Sequence, residues 1–256
     1  MSARSIRPPK QRFAGKVALV AGAGDGICRA TALAFAQEGA TVMLAGPESE
    51  DLGGTVKLIR DAGGEADHVV VDLTDGGSAA ARAMVRAAEE RFGAIDIAFN
   101  NATVTGPNRN VADICETVWA ETLAANLTGV WMAMKHELAH MERNGSGVIV
   151  NTACNMATTG KLTGMGAYAA SKAALSTLTR TAANEYAPKG IRINAISPGP
   201  AHEPSPAAID PSPSPVTPLG RGASTEEVAE TVVWLCSDEA AFVVGHDLVL
   251  DKRSAA

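Results

Sequence analysis

Short apolar runs alternate along the chain with longer stretches of helical periodicity. The runs are Lys16–Gly22 (KVALVAG), Ala40–Gly46 (ATVMLAG), Asp67–Leu73 (DHVVVDL), Ile95–Asn101 (IDIAFNN), Gly147–Ala153 (GVIVNTA), Ile191–Ser197 (IRINAIS) and His246–Asp251 (HDLVLD). Between them the pattern predicts helices ending near Gln37 and Asp61, then a helix over about Thr74–Phe92, helical segments over about Val111–Arg143, a long helix from near Met165 to the APKG at 187–190, and a helix over Thr225–Cys236. Strands that are apolar throughout, rather than at every second position, belong to a parallel sheet covered on both faces. The unbroken alternation therefore predicts an α/β fold: one doubly wound domain, with a seven-stranded parallel sheet flanked by helices.

Two segments break the rhythm. Residues 1–12 (MSARSIRPPKQR) are basic and polar, with no apolar run behind them, and are expected to form a flexible tail ahead of a domain spanning 13–256. From Pro198 to Pro218 the chain carries eight of its 13 prolines. Each removes a backbone donor, so an irregular loop is expected, placed after a strand where a substrate lid would lie. A net charge of −6 without a Lys/Arg-rich patch argues against nucleic acid as a partner. No apolar run reaches the length of a membrane span. The four cysteines are scattered, which fits reduced thiols and a cytoplasmic setting.

Candidate chemistry sits at the predicted strand ends, where open α/β sheets bind ligands. Gly22, Gly24 and Gly26, with Asp25 and Ile27, lie between the first strand and first helix. Glycines there let backbone N–H groups approach a pyrophosphate at a helix N-terminus. The other ends carry Gly46, Asp72–Leu73, Asn100–Asn101–Ala102, Cys154–Asn155 and Pro198–Gly199. Asp72 suits an adenine amino group, and the two asparagines suit backbone or ribose. Tyr168 and Lys172 stand at i and i+4 on one helix face. An ammonium beside a phenol lowers its pKa from about 10, which suits proton exchange with a carbonyl or alcohol oxygen.

Taken in order, the segments GAGDGI, FNNA, NLTGV, GVIVNT, YAASKAAL, IRINAISPGP and the closing TPLGRGASTEEVAETVVWLCSDEAAFVVGHDLVLD resemble the short-chain dehydrogenase/reductase family, in its 3-oxoacyl-carrier-protein reductase-like branch. The resemblance covers about Phe13 to Asp251. It implies a Rossmann-type sheet, NAD(H) or NADP(H), a small-molecule carbonyl or alcohol substrate, and a homodimer or homotetramer. It maps a catalytic group onto Asn126, a serine position, Tyr168 and Lys172. Asn126 would help to hold a relay water.

The departures from that pattern are specific. Alignment from the strand places the serine position at Cys154, while counting back from Tyr168 places it at Asn155. Cys28 replaces the last glycine of the phosphate motif, and Thr103 replaces the glycine after FNNA. Glu203 stands where a threonine usually meets the nicotinamide amide. Gly46 replaces the aspartate of NAD-preferring members, and Asp25 would repel a 2′-phosphate, a lean toward NAD(H). A scaffold that binds a ligand or partner without redox turnover is the alternative these changes raise. A further motif, His136–His140 (HELAH), matches H-E-x-x-H, but a zinc site would also need a third ligand.

Overall fold

The computed structural model describes residues 11–22, 26–154, 157, 162–199, 201–202 and 221–250. Its main sheet has seven parallel strands in the order β3-β2-β1-β4-β5-β6-β9. The strands are β1 (Val17–Ala21), β2 (Thr41–Gly46), β3 (Ala66–Val70), β4 (Ile97–Asn100), β5 (Gly147–Thr152), β6 (Ile191–Ser197) and β9 (Asp247–Val249). The flanking helices are α1 (Gly26–Gln37), α2 (Ser49–Asp61), α3 (Gly77–Phe92), α4 (Glu116–Leu123), α5 (Val130–Asn144), α6 (Gly166–Tyr186) and α7 (Thr225–Cys236).

The continuous apolar strands follow from the two-sided packing. Ala18 and Val20 of β1 join one core cluster, with Phe35, Leu52, Val56 and Val232 from α1, α2 and α7. Leu19 and Ala21 join the other, with Met84, Leu138 and Ala183 from α3, α5 and α6. Successive side chains point to opposite faces, so both parities must be apolar. The chain first builds outward from β1 through β2 to β3, then returns to place β4 on β1's other side. The order reverses between β1 and β4, which opens a crevice at their C-terminal ends.

Local features account for several boundaries. α7 starts at a capping box: Ser224 Oγ accepts from the Glu227 N–H at 3.2 Å, and the Glu227 carboxylate accepts from the Ser224 N–H at 2.9 Å. Its far end is gathered by Arg192 of β6, whose guanidinium donates to the carbonyls of Leu235, Cys236, Ser237 and Ala240 at 2.9–3.2 Å. The helical segments anticipated over Val111–Arg143 are separated by breaks. The stretch holds a 3₁₀ turn (Val111–Asp113), α4, a wide π turn over Ala124–Gly129, and α5. A tertiary bond explains the π turn: Asn126 Oδ1 accepts from the Val104 N–H at 2.7 Å, and its Nδ2 donates to the Val104 carbonyl at 2.8 Å.

A second, two-stranded sheet pairs β7 (Ala201–His202) with β8 (Ala223–Ser224) and was not anticipated. The expected tail over residues 1–12 falls almost wholly outside the described residues, as does most of the proline-rich stretch. Phe13 is buried and meets Phe35 edge-on at 5.4 Å, which anchors the chain just before β1.

Arg192→Ala should destabilise the fold by about 2–4 kcal/mol in urea unfolding, because four carbonyls lose a charged donor. A loss below about 0.5 kcal/mol would contradict this capping role.

Candidate active site

A cavity of about 650 Å³ opens at the C-terminal end of the sheet. Gly22, Gly26 and Ile27 line it from the β1–α1 connection, and Gly46 with Pro47 from the end of β2. Asp72 and Leu73 enter after β3, Asn101 and Ala102 after β4, Tyr168 from α6, and Pro198 with Gly199 after β6. The structure thus brings most of the anticipated positions to one place. Gly24, Asp25 and Asn155 lie outside the described residues.

Crowding explains two of the glycines. Gly22 has φ +151°, and a Cβ there would lie 2.8 Å from Cys28 Sγ and 3.1 Å from the Asn101 carbonyl oxygen. A Cβ on Gly46 would lie 2.5 Å from the Gly22 carbonyl oxygen. The ends of β1 and β2 therefore close together only without side chains, and Gly46 leaves no room for an aspartate. Asn101 Nδ2 meets Cys28 Sγ at 3.2 Å, so Cys28 packs against the end of β4 beside this cradle. Gly22 and Gly26, beside a cavity at the start of α1, fit the pyrophosphate of a dinucleotide.

Two anticipated side chains point elsewhere. Asn100, 2% exposed, turns its amide away from the cavity toward Glu137 of α5 and Asn151 of β5, at 3.0 and 3.1 Å. Asn101, one residue on, lines the cavity instead. Asn126 is fully buried, with its amide committed to Val104 and to Ser171 Oγ at 3.1 Å. Ser171 in turn donates to the Tyr168 carbonyl at 2.8 Å. Asn126 thereby braces the turn of α6 that carries Tyr168. Thr103, Val104, Thr105, Ala125 and Thr152 also line the cavity. They were not singled out as cofactor contacts, although all but Ala125 lie within a few residues of a predicted strand end.

The helix geometry brings Tyr168, Lys172 and Cys154 together. Cys154, which is 5% exposed, lies close enough to the Tyr168 hydroxyl to influence its protonation. This places the thiol, one of the two residues competing for the serine position, beside the tyrosine. Lys172 is fully buried and donates to the carbonyls of Thr152 and Ala102 at 2.7 and 2.8 Å, and to Thr103 Oγ1 at 3.4 Å. Burial lowers its pKa to about 8, against an opposing effect of the Cys154 sulfur. Burial, reinforced by Cys154, pushes the Tyr168 pKa above that of a free phenol. The Lys172 ammonium, turned toward the two carbonyls, is not among the influences on Tyr168 here.

The H-E-x-x-H side chains are each engaged by a different partner. His136 Nε2 meets Ser78 Oγ at 2.9 Å, while Glu137 points into the core. His140 accepts from the Ile95 N–H at 2.9 Å and meets Glu89 at 2.5 Å. Among the described residues, no group of three His, Cys, Asp or Glu side chains is arranged to hold a metal ion. Among them, too, no helix is long and apolar enough to cross a membrane.

Comparison with known proteins agrees with this geometry. A family model described as "Enoyl-(Acyl carrier protein) reductase" matches residues 22–252. The cis-4-hydroxycyclohexanecarboxylate dehydrogenase of Sinomonas cyclohexanicum is 40% identical over 245 residues, covering 94% of this chain and 97% of that protein. The cyclohexanol dehydrogenase of an Acinetobacter species is 36% identical over 241 residues, covering 94% and 95%. The crystal structure of an NAD+-bound xylitol dehydrogenase superposes with a TM-score of 0.85 at 34% identity, over 93% of this chain and 98% of that one. The chain belongs to the short-chain dehydrogenase/reductase family of oxidoreductases.

Proposed function

We propose that the protein interconverts an alicyclic secondary alcohol and its ketone, with NAD(H) as cofactor and Tyr168 as the proton-exchanging group. The observation that carries this reading is the grouping of Tyr168, Cys154 and Lys172 beside the Gly22–Gly46 cradle. The backbone at Gly22, Gly26 and Ile27 would hold the pyrophosphate, and Asp72 and Leu73 would flank the adenine. The nicotinamide would supply or accept the hydride. Tyr168 keeps its proton at neutral pH and donates it to the ketone oxygen on reduction, or takes it back on oxidation. Cys154 offers a weaker donor than a hydroxyl to the same oxygen. Lys172, held by the Thr152 and Ala102 carbonyls, fixes the stretch of α6 from which Tyr168 reaches that oxygen. Asn126 holds the Tyr168 turn through Ser171.

The alicyclic substrate class follows the two relatives named for cyclohexane-ring alcohols. The cofactor preference follows charge. Among the described residues the cavity lining contains no Lys or Arg, and Glu48 follows Pro47 at the end of β2, so a 2′-phosphate would meet no cation there. Similarity to an NAD+-bound enzyme points the same way. Four free cysteines suit a reducing, cytoplasmic setting. An exposed apolar groove between α5 and α6, lined by Leu127, Trp131, Ala173, Ala174 and Leu178, suits a second copy of the chain, because its small residues let helices approach closely.

In a panel of cyclohexanols with NAD+, Tyr168→Phe should lower kcat by at least about 10³-fold, while Cys154→Ser should raise it about tenfold. Full turnover in Tyr168→Phe would refute the mechanism. NADH at about 100 times its Kd should raise Tm by about 5–10 °C, with NADPH giving less. Equal shifts would remove the preference, and no shift with either would favour a scaffold without redox turnover. In analytical ultracentrifugation the chain should sediment as an oligomer, and Trp131→Glu as a smaller species; a wild-type monomer would refute that interface.

A further inference from the structure

We propose that Glu137 is a neutral acid in the native protein, joined to Asn100 by two hydrogen bonds, and that this pair positions the end of β4 that carries Asn101 and Ala102. The starting observation is a shortage of donors. Glu137 is fully buried in α5, and its Oε2 accepts from Asn100 Nδ2 at 3.0 Å. The second N–H of that amide goes to Asn151 Oδ1 at 3.1 Å. Asn151 in turn uses its own amide on Thr179 Oγ1 at 3.0 Å and Met134 Sδ at 3.1 Å. Every donor of the two amides is thus engaged. Two acceptors remain without a partner among the described residues: Glu137 Oε1 and Asn100 Oδ1.

The two orphaned oxygens belong to the same hydrogen-bonded pair. Buried polar atoms without partners are rare and costly in native proteins. A single proton removes both. Placed on Oε1, it makes Glu137 a donor, and Asn100 Oδ1 is the acceptor left waiting for it. The planar carboxyl and the planar amide then close a ring with one bond in each direction. A carboxylate at this position would keep one donor for two charged oxygens in the core, an expensive arrangement.

Charged neighbours give the ionised form no support. His136, on the same helix, faces Ser78, with Arg82 and Lys135 nearby. His140 and Arg143 both meet Glu89 of α3. On α6, Lys172 is turned to Ala102 and Thr152, and Arg180 to Ser176 and Thr177. β4 and β5 contribute no ionisable side chain. Burial accordingly raises the Glu137 pKa from its usual 4.5 to about 7, with the Asn100 bond as the smaller, opposing influence.

The location gives the pair its role. Asn100 is the last residue of β4, Asn101 touches Cys28 of α1, and the Ala102 carbonyl holds Lys172. Fixing Asn100 from below sets the backbone on which both contacts depend. This positioning role rests on the oxidoreductase reading of the site; the proton on Glu137 does not.

The decisive comparison is wild type against Glu137→Gln, whose amide reproduces a neutral acid and keeps both bonds. Folded wild-type chains hold a proton that unfolded chains release between about pH 4.5 and 7. The stability contributed by the proton is complete below that window, falls across it and is lost above it. From pH 5 to 7.5 the Tm of wild type should therefore drop relative to Glu137→Gln by about 5 °C or more, then run parallel to it up to pH 9. A Tm difference independent of pH overturns the proposal. Infrared spectroscopy of the unaltered full-length protein provides a second reading. At pH 6 the folded chain should show a protonated carboxyl stretch that shifts on isotopic labelling of glutamate and disappears in urea. Absence of that band overturns the proposal as well. For the positioning role, Glu137→Ala should weaken NADH binding about tenfold by fluorescence titration, and Glu137→Gln should restore it to within about twofold. Unaltered binding in Glu137→Ala sinks that role, whereas absence of NADH binding in wild type refutes the function proposed above and leaves the Tm and infrared readings intact.

Discussion

The buried ammonium of Lys172 is the constraint on which the rest of the site depends. A charge taken wholly out of water is stable only where several acceptors replace the lost hydration. Here they come from separate parts of the sheet: the Thr152 carbonyl at the end of β5, and the Ala102 carbonyl with the Thr103 hydroxyl just beyond β4. Their meeting point fixes the height of α6 over the sheet. Tyr168, one turn earlier, must then stand at the mouth of the cavity, and Cys154, two residues past Thr152, must lie beside it. The same three groups set one another's protonation. Burial works against charge on both Lys172 and Tyr168, and the sulfur helps the lysine keep its proton while making the tyrosine hold its own.

Most of the fold could be read from the chain because its determinants are local. A five-residue strand covered on both sides, such as Val17–Ala21, must be apolar at every position. The start of α7 is written in Ser224 and Glu227, three residues apart. Features that depend on distant residues were not legible. The π turn over Ala124–Gly129 exists because Asn126 clasps the backbone of Val104, 22 residues earlier, and helical periodicity carries no trace of that bond. Asn100 and Asn101 look alike in sequence, yet strand alternation sends one into the core and the other to the cavity. The direction of the Tyr168 shift was equally hidden. Spacing puts Lys172 on the same face, but it does not say that the ammonium is already held by two carbonyls.

The HELAH segment separates what spacing can establish from what it cannot. Residues at i and i+4 share a helix face, and His136 and His140 do share the face toward α3. That helix occupies both: Ser78 at its start takes His136, and Glu89 near its end takes His140. The intervening Glu137 turns toward the sheet and reaches Asn100. The motif's three side chains therefore serve a helix–helix contact and a helix–sheet contact, and the register of α5 against its neighbours decides this.

The end of β4 emerges as the hinge between these observations. Below it, the Asn100 side chain is tied through Glu137 to α5 and through Asn151 to β5 and α6. Above it, Asn101 and Ala102 reach Cys28 of α1 and the lysine. A strand that ends in free backbone would leave both upper contacts to fluctuate with the following loop, where exposed residues run from Thr103 to Asp113. Anchoring the last strand residue by a buried polar network confines that freedom to the loop itself. The cost is a cluster of polar groups inside an otherwise apolar core, which is tolerable only if every member is satisfied. A proton on Glu137 completes that condition, so the geometry around Lys172 and the protonation of a carboxyl on the far side of the strand belong to one connected structure.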